Sequence, residues 1–211
     1  EGNGAVSTRK RWLEIIAALL LALTTLAIAW SGYQAAKWSG LQARRYTQAS
    51  AARSLANRGE TDAAENRLRD LLNFNRWIEV TTAGDTRLSA LYERRFRDEF
   101  RPAFDAWIAQ DNVLENPEAI PTPLNMPQYV LQGEVNAERL EKVADVRFEQ
   151  GKNATEQADK YVFSTVFFAA VLFFSGISLR FQWVRLRIVM LVLAAVFLLY
   201  GVAQLASMPV H

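Results

Sequence analysis

The sequence has no cysteine, and its one histidine among 211 residues is His211. Without cysteine there is no disulfide and no thiolate metal site. Without an internal histidine, the common zinc sites and the Ser–His and Cys–His nucleophile pairs have no residues to draw on. Proline is scarce, and four of the six, Pro117, Pro121, Pro123 and Pro127, fall in one short stretch, so long helices elsewhere meet little opposition. The chain also lacks an excess of charge. Lys and Arg number 24 against 22 Asp and Glu, a net charge of +2. Because the two signs are interleaved, nothing argues for a nucleic-acid partner. With no glycine-rich phosphate loop and no cluster of metal ligands either, the chain reads as a non-enzymatic protein with no cofactor and no metal.

What is present is apolar residue concentrated in three blocks. The first is WLEIIAALLLALTTLAIAW, residues 12–30. Its bounding tryptophans are about 27 Å apart along a helix, close to the roughly 30 Å of a bilayer core, and Trp favours both interfaces. Arg9, Lys10 and Arg11 followed by an apolar run and Ala27-Ile28-Ala29 also resemble a signal peptide. We read the block as an uncleaved anchor. The second block is 161–179 and the third 188–205, each long enough to span. The connection 180–187 carries Arg180, Arg185 and Arg187 and no acid. In a three-span topology it lies on the same side as Arg9, Lys10 and Arg11. The positive-inside rule makes that side cytoplasmic, although Lys37, Arg44 and Arg45 mildly oppose it. These six basic residues are candidate contacts for anionic lipid headgroups.

The expected fold is therefore all-α, with three transmembrane helices and two long helices projecting into a helical extracytoplasmic domain. Its organisation reads as a cytoplasmic N-terminus 1–11, a first span 12–30, an outer domain 31–160 and a second span 161–179. A cytoplasmic loop 180–187, a third span 188–205 and an outer tail 206–211 follow. Within the outer domain the first helix continues to about residue 57, with Gly59 as its stop, and a second helix covers about 61–81. Leu68, Leu71, Leu72 and Ile78 would form its core face. Ala83-Gly84-Asp85 reads as a turn, and a third helix over 86–110 is kinked before Pro102. The proline-rich loop 112–127 follows, and from about 128 a helix runs without punctuation into the second span.

Four features are candidates for function. Gly32, Ala36 and Gly40 recur at four-residue spacing, the pattern that lets helix backbones approach closely. A complementary stripe lies at Leu140, Ala144, Gly151, Ala154 and Ala158. These residues are candidates for helix packing within one chain or for oligomer contact between chains. Tyr92, Phe96, Phe100 and Phe104, with Trp107 after them, read as an aromatic core beside a charged face that includes Arg94–Asp98, Arg95–Glu99 and Arg101–Asp105 pairs. An aromatic ligand pocket clamped by arginine is the alternative. Glu14 is the one acid inside a membrane block, hence a candidate functional acid, with a snorkelling ion pair to Lys10 or Arg11 as the simpler explanation. Thr24, Thr25, Ser164, Thr165, Ser175, Ser178 and Gln204 could line a polar path, although such hydroxyls commonly bond back to their own helix.

The segments WLEIIAALLLALTTLAIAWSGYQAAKWSG, RFRDEFRPAFDAWIAQD and NMPQY before a long helix resemble, in that order, a family of uncharacterised bacterial integral membrane proteins. The resemblance covers almost the whole chain. It implies a bacterial inner-membrane protein of three spans and supplies no activity, ligand or functional residue. The favoured expectation is a self-associating protein or accessory subunit whose outer domain binds a partner. A homo-oligomeric ion channel is one alternative, and a transmembrane sensor that recruits a separate cytoplasmic partner is another.

Overall fold

A computed structural model describes residues 2–110, 112–116 and 118–211, with side chains from Arg11 onward. The described residues form five α-helices and no strand: α1 (Gly2–Thr82), α2 (Thr86–Glu93), α3 (Arg101–Ile108), α4 (Gln132–Ser178) and α5 (Val184–Ala206). A 3₁₀ turn covers Pro123–Asn125. Three of the helices, α1, α4 and α5, are long and apolar enough to cross a membrane. The fold is all-α. Two units divide the chain, one of residues 1–47 and 147–211, the other of residues 48–146.

In the first unit, α1 and α4 run antiparallel, with Ser31 bonded to Ser164 at 3.1 Å and Tyr46 to Thr155 at 3.4 Å. Burial recurs every seven residues, at Ala17, Thr24 and Ser31 on α1 and at Ala154, Tyr161, Phe168 and Ser175 on α4. A seven-residue repeat is the signature of helices that wind around each other. Helix α5 closes the bundle: Leu191 and Ala194 pack with Ala17, Leu20 and Val171. The interior mixes small and polar side chains with a few large ones such as Tyr161 and Phe168, while the outside is large and apolar. Leu26, Phe173 and Leu199, for instance, are 69%, 61% and 70% exposed. Water would penalise that arrangement, whereas hydrocarbon accepts it, so the unit is built for a bilayer. Trp12 and Trp183 stand exposed towards one end and Trp30 and Tyr33 towards the other, as an aromatic belt requires.

In the second unit, α1 and α4 again run antiparallel, joined by ion pairs Arg53–Asp145 at 3.2 Å and Arg67–Glu134 at 2.7 Å. Ala49, Ala56, Ala63, Asp70 and Trp77 are buried at seven-residue intervals. Helix α1 does not stop at Gly59. That glycine is needed for a close crossing instead: a methyl group there would lie 3.0 Å from the Gly133 carbonyl oxygen and 3.5 Å from Ala137. Leu68 and Leu72, expected in the core, are 56% and 57% exposed. The face that packs carries Asp70, Phe74 and Trp77.

The expected helix 86–110 is two eight-residue helices separated by turns. Asp85 caps α2 by accepting from the Leu88 amide at 3.0 Å, and Pro102 takes a first-turn position of α3, where its missing N–H costs nothing. The break brings Phe96, Phe100, Phe104 and Trp107 together with Phe74 and Trp77 in one buried aromatic core. Both indoles find partners: Trp77 donates to Glu93 at 2.9 Å and Trp107 to the Ile120 carbonyl at 2.7 Å. The proline-rich stretch packs against this core through Ile120, Leu124 and Met126.

Candidate functional site

The stripe Gly32, Ala36 and Gly40 does not face α4. The side of α1 that packs is Ser31, Gln34 and Ala35, all buried, whereas Gly32, Ala36 and Gly40 are exposed. A methyl group at Gly32 or Gly40 would meet nothing within 4 Å. The other half of the expected stripe does pack inside the chain. Ala144, Ala154 and Ala158 are buried, Leu140 is half-buried, and Gly151 lies under the Tyr46 ring, 2.6 Å from where a methyl group would stand. The two stripes thus serve different surfaces, one inside the bundle and one open.

Polar side chains fill the seam of the first unit. Thr24, Ser31, Gln34, Ser164, Ser175 and Ser178 are all fully buried. Three bond back to their own helix: Thr24 donates to the Leu20 carbonyl at 2.6 Å, Ser164 to Tyr161 at 2.7 Å and Ser178 to Ser175 at 2.6 Å. Thr25 and Thr165 do the same to Ala22 and Val162. Ser31, by contrast, pairs across with Ser164, and the Ser175 hydroxyl and Gln34 Nε2 have no partner among the described residues. After α5 the chain folds back over this seam. The Pro209 carbonyl accepts from Trp38 at 3.3 Å and Tyr161 at 3.1 Å, and the His211 amide donates to Gln34 at 3.0 Å.

Among the described side chains Glu14 pairs with α5: its carboxylate lies 3.6 Å from Arg187 Nη1. Arg11 is exposed, and Arg9 and Lys10 carry side chains outside the described residues. Arg180 and Arg185 are exposed, but Arg187 is 6% exposed, and its Nε and Nη2 have no hydrogen-bond partner among the described residues. This buried cation was not legible in the sequence, where it reads as one of three loop arginines.

In the second unit Arg94–Asp98 and Arg95–Glu99 do not pair four apart, because 94–100 is not α-helix, and Arg101, although on α3 with Asp105, donates to the Phe96 and Arg94 carbonyls at 3.4 Å. Arg97 instead reaches across to buried Asp70 at 2.9 Å and to Glu99. Tyr129 also donates to Asp70 at 3.0 Å, and Glu99 accepts from the Gln132 amide at 3.3 Å. Burial pushes the Asp70 carboxyl above its usual range, against the pull of Tyr129 and Arg97. Burial and the adjoining Asp70 likewise raise Tyr129. This network ties α1, the 94–100 turn and the start of α4, and Asp70 within it is 1% exposed. Among the described residues no group of His, Asp and Glu is placed to hold a metal ion.

Comparison with protein-family models, curated proteins and solved structures returns no match to this chain.

Proposed function

We propose that this chain is a non-enzymatic, multi-pass membrane protein that associates with itself or with a larger membrane assembly through the open stripe Gly32–Ala36–Gly40. The observation that carries the reading is the division of labour on α1. Packing within the chain uses Ser31, Gln34 and Ala35, which leaves the three smallest neighbouring residues uncovered. In a bilayer, helix association draws on van der Waals contact between close backbones, so an uncovered small-residue face favours a second helix over lipid tails. The basic flank 9–11 and the loop 180–187 support a cytoplasmic N-terminus and an extracytoplasmic segment 31–160, whose helical unit would meet the partner. The family resemblance supports a bacterial inner membrane. A pore within one chain has little support, since the seam hydroxyls of Thr24, Ser31, Ser164, Ser175 and Ser178 are fully buried.

The experiment is replacement of Gly32, Ala36 and Gly40 by Leu in the full chain, followed by sizing in detergent. Smaller assemblies are expected. Assemblies of unchanged size would remove the stripe from any contact between chains.

A further inference from the structure

Arg187 lies on the first turn of α5, and a helical side chain leans back towards its helix N-terminus. Its guanidinium therefore runs beside the opening turn, which begins at Trp183 with no side-chain cap. The unpaired amides of a helix N-terminus and its positive dipole end attract anions. The residue is 6% exposed, and Nε and Nη2 stand without a partner among the described residues. Its ion-pair partner among the described residues, Glu14, is 3.6 Å from Nη1, beyond a good hydrogen bond, and has a side chain 59% exposed. A buried guanidinium with two idle donors is costly to keep unless something planar and anionic meets them.

An open groove of about 670 Å³ is lined by Arg11, Trp12, Glu14, Ile15 and Ala18, all on α1, so a group held there meets Arg187 only when the exposed Glu14 side chain swings aside. Arg180 and Arg185 flank the same turn, giving a local excess of positive charge over the single carboxylate. Exposed Trp12 and Trp183 mark the level as a membrane interface, where headgroup phosphates lie.

We propose that Arg187 and the uncapped first turn of α5 bind a phosphate group, supplied by the headgroup of an anionic lipid or by free phosphate, in competition with the Glu14 carboxylate. This site does not depend on self-association through Gly32, Ala36 and Gly40. It also differs from a diffuse basic edge: one buried arginine carries it, and the exposed arginines add only attraction.

The test uses the full chain in phosphatidylcholine nanodiscs, with and without phosphatidylglycerol, and counts retained phosphatidylglycerol by native mass spectrometry. Wild type retains it. Arg187→Gln weakens retention by about tenfold, the loss expected for a charge-assisted pair of hydrogen bonds. Arg185→Gln, on the same turn but exposed, changes it by no more than about twofold, the scale of a screened surface charge. Glu14→Gln, which removes the competitor while keeping Arg187, strengthens retention, and this variant keeps the test valid if Arg187→Gln folds poorly. Inorganic phosphate is titrated into lipid-matched discs lacking phosphatidylglycerol, reading the thermal midpoint. A saturable shift that requires Arg187 assigns the site to free phosphate, and a response to phosphatidylglycerol alone assigns it to lipid. Equal weakening by Arg187→Gln and Arg185→Gln, loss of retention in Glu14→Gln, or no Arg187-dependent response to either probe would overturn the proposal.

Discussion

Replacing Gly133 with alanine tests how closely α1 and α4 cross in the second unit. The added methyl group would stand 2.7 Å from the Gly59 carbonyl oxygen and 3.1 Å from the Ala63 side chain. The nearer obstacle is backbone, so no rotamer change can clear it and the two helices must separate. Overpacking of this kind costs about 1–3 kcal/mol. Against it stands the helix-propensity gain of alanine over glycine, at most about 1 kcal/mol and smaller in a first turn. The net is about 1–2 kcal/mol of destabilisation, and each kcal/mol lowers the thermal midpoint of a chain this size by roughly 2–4 °C. The reference is Gly176→Ala on the same helix, where a methyl group meets nothing within 4 Å and only the propensity gain remains. Adding Ala63→Gly to Gly133→Ala removes the 3.1 Å contact but leaves the 2.7 Å one, so rescue is partial. Helical circular dichroism followed through heating reads all four proteins. A Gly133→Ala protein as stable as Gly176→Ala would refute the close crossing.

Two further perturbations address the aromatic unit. Trp107→Phe removes the bond to the Ile120 carbonyl and leaves a void, at a cost of about 1–3 kcal/mol. Faster protease nicking within 112–127 should accompany it, and an unchanged cleavage rate would contradict the tether. Asp70→Asn tests the raised carboxyl. Because burial lifts its folded value above 3.8, the folded protein binds that proton more tightly than the unfolded chain. Its contribution is therefore whole below 3.8 and is lost as pH rises through the folded value. Wild-type stability measured relative to Asp70→Asn should fall over that window as pH rises. A difference that grows with rising pH would contradict the sign.

The membrane blocks were legible because an apolar run of that length suits little besides a spanning helix. The aromatic core was legible as well: Phe96, Phe100, Phe104 and Trp107 do converge, although through a turn and not along one helix. The faces of α1 were harder to read. Its packed positions include Ala49, Ala56, Ala63 and Asp70, whereas Leu68 and Leu72 point outward, so hydrophobicity misleads there and marks the packed side only from Phe74, Trp77 and Ile78 onward. Alanine at seven-residue spacing was the available signal. Gly59 misled for a related reason. A glycine that ends a helix and one that admits a neighbouring backbone look alike until Gly133 is brought opposite. Arg187 could not be singled out because the residue it pairs with, Glu14, is more than 170 positions away.

The central claim is that the open stripe on α1 is a contact between chains. Counting chains per particle in lipid nanodiscs tests it most directly, with wild type compared against the Gly32→Leu, Ala36→Leu, Gly40→Leu triple variant. The account predicts more than one chain for wild type and a reduced number for the variant. A wild-type particle holding a single chain would contradict it, as would a variant with the wild-type count.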